Sequence, residues 1–290
     1  MNFSIRLFKW LSFLVYRSPM SFQKALGDFF GWLWFDGLKF RRFTVLKNIQ
    51  RAFPELTKEQ KYQLARQSMK NLCFNFVEII KLPHFRAEDF QKGIFHGLEN
   101  YQQAQAQGKG VLLLSLHLGS GDLACSLIAQ KGIPLHVISK KFKNKAFNDF
   151  WFGMREGHGT RFMDPHGAHL PFEILKATKK GEPVVFVLDQ YMGKPFGIET
   201  EFFGIKTGTA YGLALFAIKT KAPVVPVYTY RDEQLRTHVA FGPEVPLIQE
   251  EDRDLQIQKM TQEYTKTIED LVRKYPEHWM WVHRRWKRWK

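Results

Sequence analysis

Residues 108–122 read Gly-Lys-Gly-Val-Leu-Leu-Leu-Ser-Leu-His-Leu-Gly-Ser-Gly-Asp, which places an imidazole, His117, five positions before a carboxylate, Asp122. A carboxylate that accepts the hydrogen bond of one ring nitrogen leaves the other free to take a proton from a hydroxyl, which is general-base chemistry. As a string, His-x-x-x-x-Asp is weak. The chain has ten His residues, and a second match, His84 to Asp89, follows Lys-Leu-Pro rather than a buried strand.

The elements around His117 set it apart. The apolar run Val111–Leu116 is too short for a membrane span and reads as a strand buried on both faces. Gly119 and Gly121 permit a tight turn, and Asp122 opens the helical spacing Leu123, Leu127, Ile128. His117 and Asp122 therefore sit at a strand-to-helix corner, where open α/β sheets bind ligands. The competing reading is a core histidine held by a backbone group.

Further candidates follow the same logic. Asp189 and Gln190 come directly after the buried run Val184–Leu188, on the same sheet edge as His117. The long Gly- and Phe-rich connection Tyr191–Thr209 behind them suits a substrate-facing role, and a helix cap or turn is the alternative. Phe203 and Gly204 in that connection either line an apolar slot or anchor the loop on the core. Arg155 ends a predicted helix, Lys145–Arg155, where it pairs with a substrate phosphate or carboxylate or simply complements the helix dipole. His166 and His169 have metal-like spacing with no third ligand near, so no metal is expected. Ser120 lies three residues from His117 without Gly-x-Ser-x-Gly around it, which argues against a serine nucleophile.

At 290 residues and 44% hydrophobic content, the chain can form one large domain with appendages. From Tyr101 onward a repeated grammar appears: a helical stretch, a Lys/Gly breaker often followed by Pro, then a short β-branched run beginning at Val111, Leu135, Val184 and Val224. Such alternation predicts an α/β fold, a mostly parallel sheet with helices on both faces. Thr57 and Gln60 form a capping-box signature before an amphipathic helix that ends ahead of Pro83, with Phe74, Phe76 and Val77 expected in the core. A last helix spans Asp254–Tyr275. Cys73 and Cys125 read as buried thiols in a reducing compartment.

The first fifty residues differ in kind. Met1–Tyr16 is apolar but interrupted by Arg6 and Lys9, and falls short of a spanning helix. No small-residue cleavage site follows, which argues against a secretory signal. Leu26–Phe40 carries Trp32 and Trp34 beside Lys39, Arg41 and Arg42, the mixture of an interfacial membrane element. The expected division is a membrane-associating helical region over 1–50 and an α/β domain over 51–290, with a helical hairpin packed on the core as the alternative for the former. The balance of 43 Lys and Arg against 28 Asp and Glu, a net charge of +15, calls for an acidic partner: nucleic acid, anionic lipid or an acidic carrier protein. The tail 278–290 interleaves cations with indoles, and read alone it fits a nucleic acid or an anionic membrane.

Together these residues resemble the bacterial lipid A biosynthesis acyltransferases, the late acyltransferases of the lysophospholipid acyltransferase superfamily. The resemblance is carried by Phe53-Pro54-Glu55, by His117-Leu-Gly119-Ser-Gly-Asp122, by Arg155, by Lys180-Gly181-Glu182-Pro183 leading into Asp189-Gln190, and by Phe202-Phe203-Gly204. It closes on Pro276-Glu277-His278-Trp279-Met280-Trp281-Val282-His283-Arg284-Arg285-Trp286-Lys287, similar to the family's Pro-Glu-x-Trp-x-Trp-x-His-x-Arg-Trp-Lys. One departure stands out: members commonly carry His-x-Gly-Asn-Trp-Glu, where this chain has Ser120, Gly121 and Asp122.

The resemblance implies transfer of a fatty acyl chain from acyl carrier protein to a hydroxyl of a lipid A precursor, at the cytoplasmic face of a bacterial inner membrane, without a cofactor. On these positions His117 is the general base, Asp122 orients its imidazole, and Arg155 serves the anionic acceptor or donor. The motif offers no nucleophile for a covalent acyl-enzyme, so direct attack on the thioester is expected. The alternatives are a related acyltransferase acting on a lysophospholipid, aminolipid or glycolipid, and a basic membrane-attached nucleic-acid-binding protein. The last leaves the His117–Asp122 corner without a use.

Overall fold

A computed structural model describes residues 3–287 and 289. Among these the strands are β1 (Ile94–His96), β2 (Leu112–Ser115), β3 (His136–Ile138), β4 (Arg161–Met163), β5 (Val184–Val187), β6 (Gly197–Phe202), β7 (Ile205–Ala210), β8 (Val224–Arg231) and β9 (Thr237–Phe241). Seven of them form one sheet in the order β1-β9-β8-β2-β5-β3-β4, parallel throughout except between β8 and β9. The chain leaves β2 through helix α7 (Gly121–Gln130) and skips a position to reach β3. Strand β5 later fills the gap. All four strands expected after a Lys/Gly/Pro breaker are present, and the sheet is mostly parallel with helices on both faces.

The run 111–114 is buried from both sides, and its alternation assigns each residue to a layer. Leu112 and Leu114 pack with α9 (Leu170–Lys179), α10 (Gly212–Thr220) and α11 (Arg253–Lys274). Val111 and Leu113 pack with α6 (Leu98–Ala106) and α7. Each such side chain contributes about 1.5–3 kcal/mol through burial, so β2 is pinned between two apolar layers and its carboxyl end is a fixed platform.

Helix α4 (Lys58–Lys81) starts on the expected capping box: Gln60 N donates to Thr57 Oγ1 at 3.2 Å and Thr57 N donates to Gln60 Oε1 at 2.9 Å. Helix α2 (Met20–Trp32) lies against it. Gly27 and Gly31 make this possible, since a Cβ on Gly31 would come within 2.6 Å of Lys70 Cα. With α1 (Phe3–Arg17), α2 turns one face to α4, while Trp10, Phe13, Phe22, Phe29, Phe30 and Trp32 face solvent. Among the described residues no helix is long and apolar enough to cross a membrane. Residue 50, where composition changes, falls inside α3 (Arg42–Ala52), whose Val45 and Ile49 are fully buried.

Two segments differ from expectation. The connection 191–209 is largely an antiparallel hairpin, β6 paired with β7, turning at Phe203 and Gly204 with φ of 54° and 67°. Two consecutive positive φ values are what a tight hairpin turn requires, and the alternation across Glu199–Lys206 is its signal. Among the described residues of the tail, Trp279, Trp281, Arg285 and Trp286 are buried in the core rather than presented as a surface for nucleic acid or lipid. The indole N–H groups find partners inside, Trp281 Nε1 donating to Pro276 O at 2.7 Å and Trp286 Nε1 to Phe202 O at 3.0 Å. An indole buried with its N–H satisfied is a large apolar side chain, and truncating one typically costs about 3–5 kcal/mol.

Candidate active site

Strands β2 and β5 are in parallel register with Ser115 opposite Val187, so the chain emerges from both at the same height two residues on, at His117 and Asp189. His117 Nδ1 lies 2.8 Å from Asp189 Oδ1, and the His117 backbone N donates to Asp189 Oδ2 at 3.0 Å. Asp189 is 2% exposed and its second oxygen also accepts from Trp279 Nε1 at 2.8 Å. Burial alone would raise the Asp189 pKa. The imidazole and these donors overcome that and hold it down at about 2. For His117, burial pushes the pKa down, but the facing Asp189 carboxylate, helped by Asp122, leaves it raised above the ordinary value. An ionised carboxylate only accepts, so it fixes the proton on Nδ1 and leaves Nε2 with the lone pair that can accept a proton. The His117 side chain is 41% exposed, and Gln190 Nε2 approaches its Nε2 at 3.4 Å.

The hydrogen bond expected from Asp122 is thus made by Asp189. Asp122 accepts instead from Arg155 Nη1 at 2.5 Å. The reason is the turn: Asp122 sits in the first turn of α7, facing α8 (Lys145–Glu156), whose last turn carries Arg155. The guanidinium is 7% exposed and stacks over the rings of Phe162 and Phe152, at 4.2 and 4.7 Å. Both Asp122 and Arg155 still line the groove beside His117.

The buried tail clamps this corner. Gly119 N donates to His278 O at 3.0 Å and Met280 N to His117 O at 3.1 Å, so residues 278–280 run beside 117–119 like an added strand. Gly119, at φ 62°, is required here because a Cβ would fall 2.5 Å from Thr229 O. From the other side, Asn75 Nδ2 donates to Gly119 O at 2.7 Å while its Oδ1 accepts from Arg231 Nη1 at 2.7 Å, and Arg231 pairs with Glu78 at 2.7 Å, both buried. Arg285, 1% exposed, donates to Gln190 O, Gly208 O and Thr209 Oγ1 and so fixes the segment after Asp189. Sequence reading missed these supports. Their signal was present as polar residues at positions otherwise patterned for the core, Asn75 and Glu78 on α4 and Arg231 on β8.

A groove of about 560 Å³ opens over His117. Its rim carries Gln190, Lys140 and Phe76, and the buried Arg155 lies in its wall. Its depth is apolar, formed by Cys125, Ile128, Leu135, Val137 and Val185. Phe76, expected in the core, is 41% exposed at this rim because α4 turns that face to the opening. Ser120 Oγ is buried in the groove wall without a hydrogen-bond partner among the described residues. Burial pushes the Cys125 thiol up to about 12, which makes it a poor nucleophile.

Phe203 and Gly204 do not line this groove. Phe203 is buried against Phe53, Phe202 and Trp286, with Arg273 over its ring at 4.4 Å, and its backbone N donates to Glu269 Oε2, so the pair anchors the hairpin tip on the core. His84 and Asp89 do not meet as a pair: Asp89 accepts from Tyr16, Arg86 N and Lys92, and the His84 ring packs on Phe13. Among the described residues no three His, Cys, Asp or Glu side chains gather as a metal-holding group.

The sequence model of a family described as bacterial lipid A biosynthesis acyltransferase matches residues 4–288. A lipid A biosynthesis acyltransferase of Haemophilus influenzae is 25% identical over 274 residues, 94% of this chain and 82% of that protein. The lipid A biosynthesis palmitoleoyltransferase of Escherichia coli is 24% identical over 254 residues, 86% of this chain and 80% of that one. A phosphatidylinositol mannoside acyltransferase of Mycobacterium tuberculosis is 25% identical over 157 residues, 53% of this chain and 50% of its own.

Proposed function

The chain belongs to the bacterial lipid A biosynthesis acyltransferase family, and from that premise we propose that it is an O-acyltransferase moving a fatty acyl chain from acyl carrier protein to a hydroxyl of a lipid A precursor. The observation that carries the mechanism is the His117–Asp189 pair at the ends of β2 and β5, with the imidazole open to the groove. Nε2 takes the proton of the acceptor hydroxyl as its oxygen attacks the thioester carbonyl. The tetrahedral intermediate then collapses, the thiolate leaves, and the imidazolium returns the proton to sulfur. The charge on Asp189 stabilises that imidazolium.

The donor chain lies in the apolar depth of the groove. An acidic carrier fits the rim at Lys140, which the exposed Lys141 and Lys143 follow in the chain, and the sequence from Leu123 to Asn148 holds no Asp or Glu. Arg155 and Gln190 face an anionic or hydroxylated acceptor. The exposed aromatic and aliphatic side chains of α1, α2 and the segment to Phe43, beside Lys39, Arg41 and Arg42, form an apolar surface that lies on a membrane, consistent with the cytoplasmic face of a bacterial inner membrane.

A second reading, a mannoside-type glycolipid acceptor, is favoured by Gly121. A Cβ there would meet open space, whereas relatives commonly fill this position with Trp, and the open volume suits a bulkier headgroup. Transfer from a mixture of acyl-carrier-protein donors to an underacylated lipid A precursor, read by mass spectrometry, tests both. One added acyl mass with wild type and none with His117→Ala supports the first. Acylation of a lysophospholipid or glycolipid only keeps the mechanism and replaces the acceptor. No His117-dependent transfer to any lipid removes the mechanism.

A further inference from the structure

On the other side of α7 from the groove, a second cavity of about 340 Å³ occupies the seam where α1 and α2 meet α4, α7 and the β8–β9 turn. Three cations, Lys81, Lys92 and Arg236, and two carboxylates, Glu78 and Asp89, line it. Both carboxylates are already occupied. Glu78 pairs with Arg231 at 2.7 Å and accepts from Thr237 Oγ1 at 3.3 Å. Asp89 accepts from Tyr16 at 2.8 Å, Arg86 N at 3.0 Å and Lys92 at 2.8 Å.

The cations keep donors in reserve. Lys81 is 7% exposed, and its Nζ has one hydrogen bond, to the neutral Gln23 Oε1 at 2.6 Å, and no carboxylate at ion-pair distance among the described residues. Burial lowers its pKa, and Glu78 and Asp89, which favour the ammonium from a distance without pairing with it, do not offset that. Arg236 uses Nε on Asp232 at 2.7 Å and makes a long Nη2 contact to Gln234 at 3.5 Å, leaving Nη1 without a hydrogen-bond acceptor among the described residues. The site therefore has more cationic donors than anions to meet them.

We infer that this cavity is a second ligand site, separate from the catalytic groove, that takes a phosphate ester between Lys81 and Arg236. A phosphate supplies the direct ionic partner that Lys81 lacks among the described residues, and several acceptors for unused N–H groups. Met20 lines the cavity and belongs to the exposed apolar surface of α1–α2, so a phosphate carried on a lipid enters from that side with its chains outside. Gln23 comes from α2 and Tyr16 from α1, so an occupant ties that helix pair to the body.

The full-length protein is titrated with inorganic phosphate at constant ionic strength, with chloride as control, following thermal unfolding. In parallel it is floated with phosphatidylcholine vesicles with and without phosphatidylglycerol. Wild type shows a saturable rise in unfolding temperature, and Lys81→Met and Arg236→Gln weaken the apparent phosphate affinity at least tenfold. Arg236, with an exposed side chain, keeps the test informative if Lys81→Met fails to fold. A lipid source also shows as phosphatidylglycerol-dependent flotation that falls in both variants, and a soluble phosphate ester as phosphate stabilisation with unchanged flotation. Equal stabilisation in wild type and Arg236→Gln, or no phosphate effect together with flotation indifferent to the variants, overturns the site.

Discussion

Asp189 reaches His117 from the neighbouring strand, 72 residues along the chain, and holds both its Nδ1 and its backbone N–H, at 2.8 and 3.0 Å. This one carboxylate sets the ring's orientation, tautomer and charge together. The groups that hold Asp189 in place are therefore as much part of the site as the imidazole itself.

Asp189→Asn tests that relationship. The base acts when neutral, so wild-type transfer falls as pH drops through the raised pKa of His117. Removing the carboxylate removes the main influence that raises it and leaves burial, which lowers it, so the acidic limb of the pH–rate profile moves to lower pH. An amide there must also turn its NH₂ toward Nδ1 or toward the two donors at Oδ2, which spoils the tautomer, so the plateau rate drops by about 10³- to 10⁴-fold. A limb that stays in place contradicts the pairing. Stability follows with opposite signs. His117, raised in the fold, contributes stability below its unfolded pKa and loses it as pH rises through the folded one. Asp189, depressed to about 2, contributes above its unfolded value and loses it as pH falls toward 2. The stability gap between wild type and Asp189→Asn in urea should shrink across that acidic range.

Asp122→Asn should behave differently. Asp122 acts on His117 only through space, as the weakest of its influences, so the acidic limb moves much less than in Asp189→Asn. What is lost is the partner of a buried guanidinium. Breaking such a pair costs about 2–3 kcal/mol here, where Asp122 keeps some solvent contact. Urea unfolding checks the cost. An acidic limb displaced as far as in Asp189→Asn would return the orienting role to Asp122.

The sequence made some of this readable and hid the rest for a physical reason. Local signals were reliable: the Thr57–Gln60 capping box, the buried run ending at His117, and the strands after each breaker all appear where pattern and propensity put them. Asp189 was identifiable as a strand-end carboxylate on the right sheet edge. Its adjacency to His117 was not, because β5 inserts between β2 and β3, and strand order is a long-range property that no local pattern encodes. Proximity in sequence favoured Asp122 for the same reason. Trp279 and Arg285 read as surface aromatics and cations because composition gives a residue's chemistry and not its partners. The alternation that marks β6 and β7 lay within a stretch whose glycines and phenylalanines suggested an irregular loop.

Trp279→Phe isolates one of those hidden partners. The ring remains apolar and buried while the Nε1–H donor to Asp189 is lost. A hydrogen bond to a charged group contributes about 1.5–3 kcal/mol, so unfolding stability falls by that order, and the Asp189 pKa rises toward the ordinary value. Transfer should fall roughly tenfold with little change in KM, because Trp279, although it lines the groove, acts through Asp189 on the base. A raised KM with unchanged kcat would instead place Trp279 in substrate binding.

The proposed membrane-facing surface gives the last prediction. Phe29 and Trp32 lie on the side of α2 turned away from α4 and are 52% and 51% exposed, so replacing both by Ser removes apolar area without opening a cavity. The lost transfer to lipid is about 2–3 kcal/mol together, equivalent to roughly 30- to 150-fold weaker partitioning into anionic vesicles. Unfolding temperature should change little, because the residues that seat α2, Gln23, Gly27 and Gly31, are intact. Transfer to an acceptor dispersed in detergent should persist, while transfer to the same acceptor embedded in vesicles should fall with binding. Vesicle binding that survives the double substitution with folding intact would mean that this face meets something other than lipid, and that the basic segment Lys39–Arg42 or another surface carries the attachment.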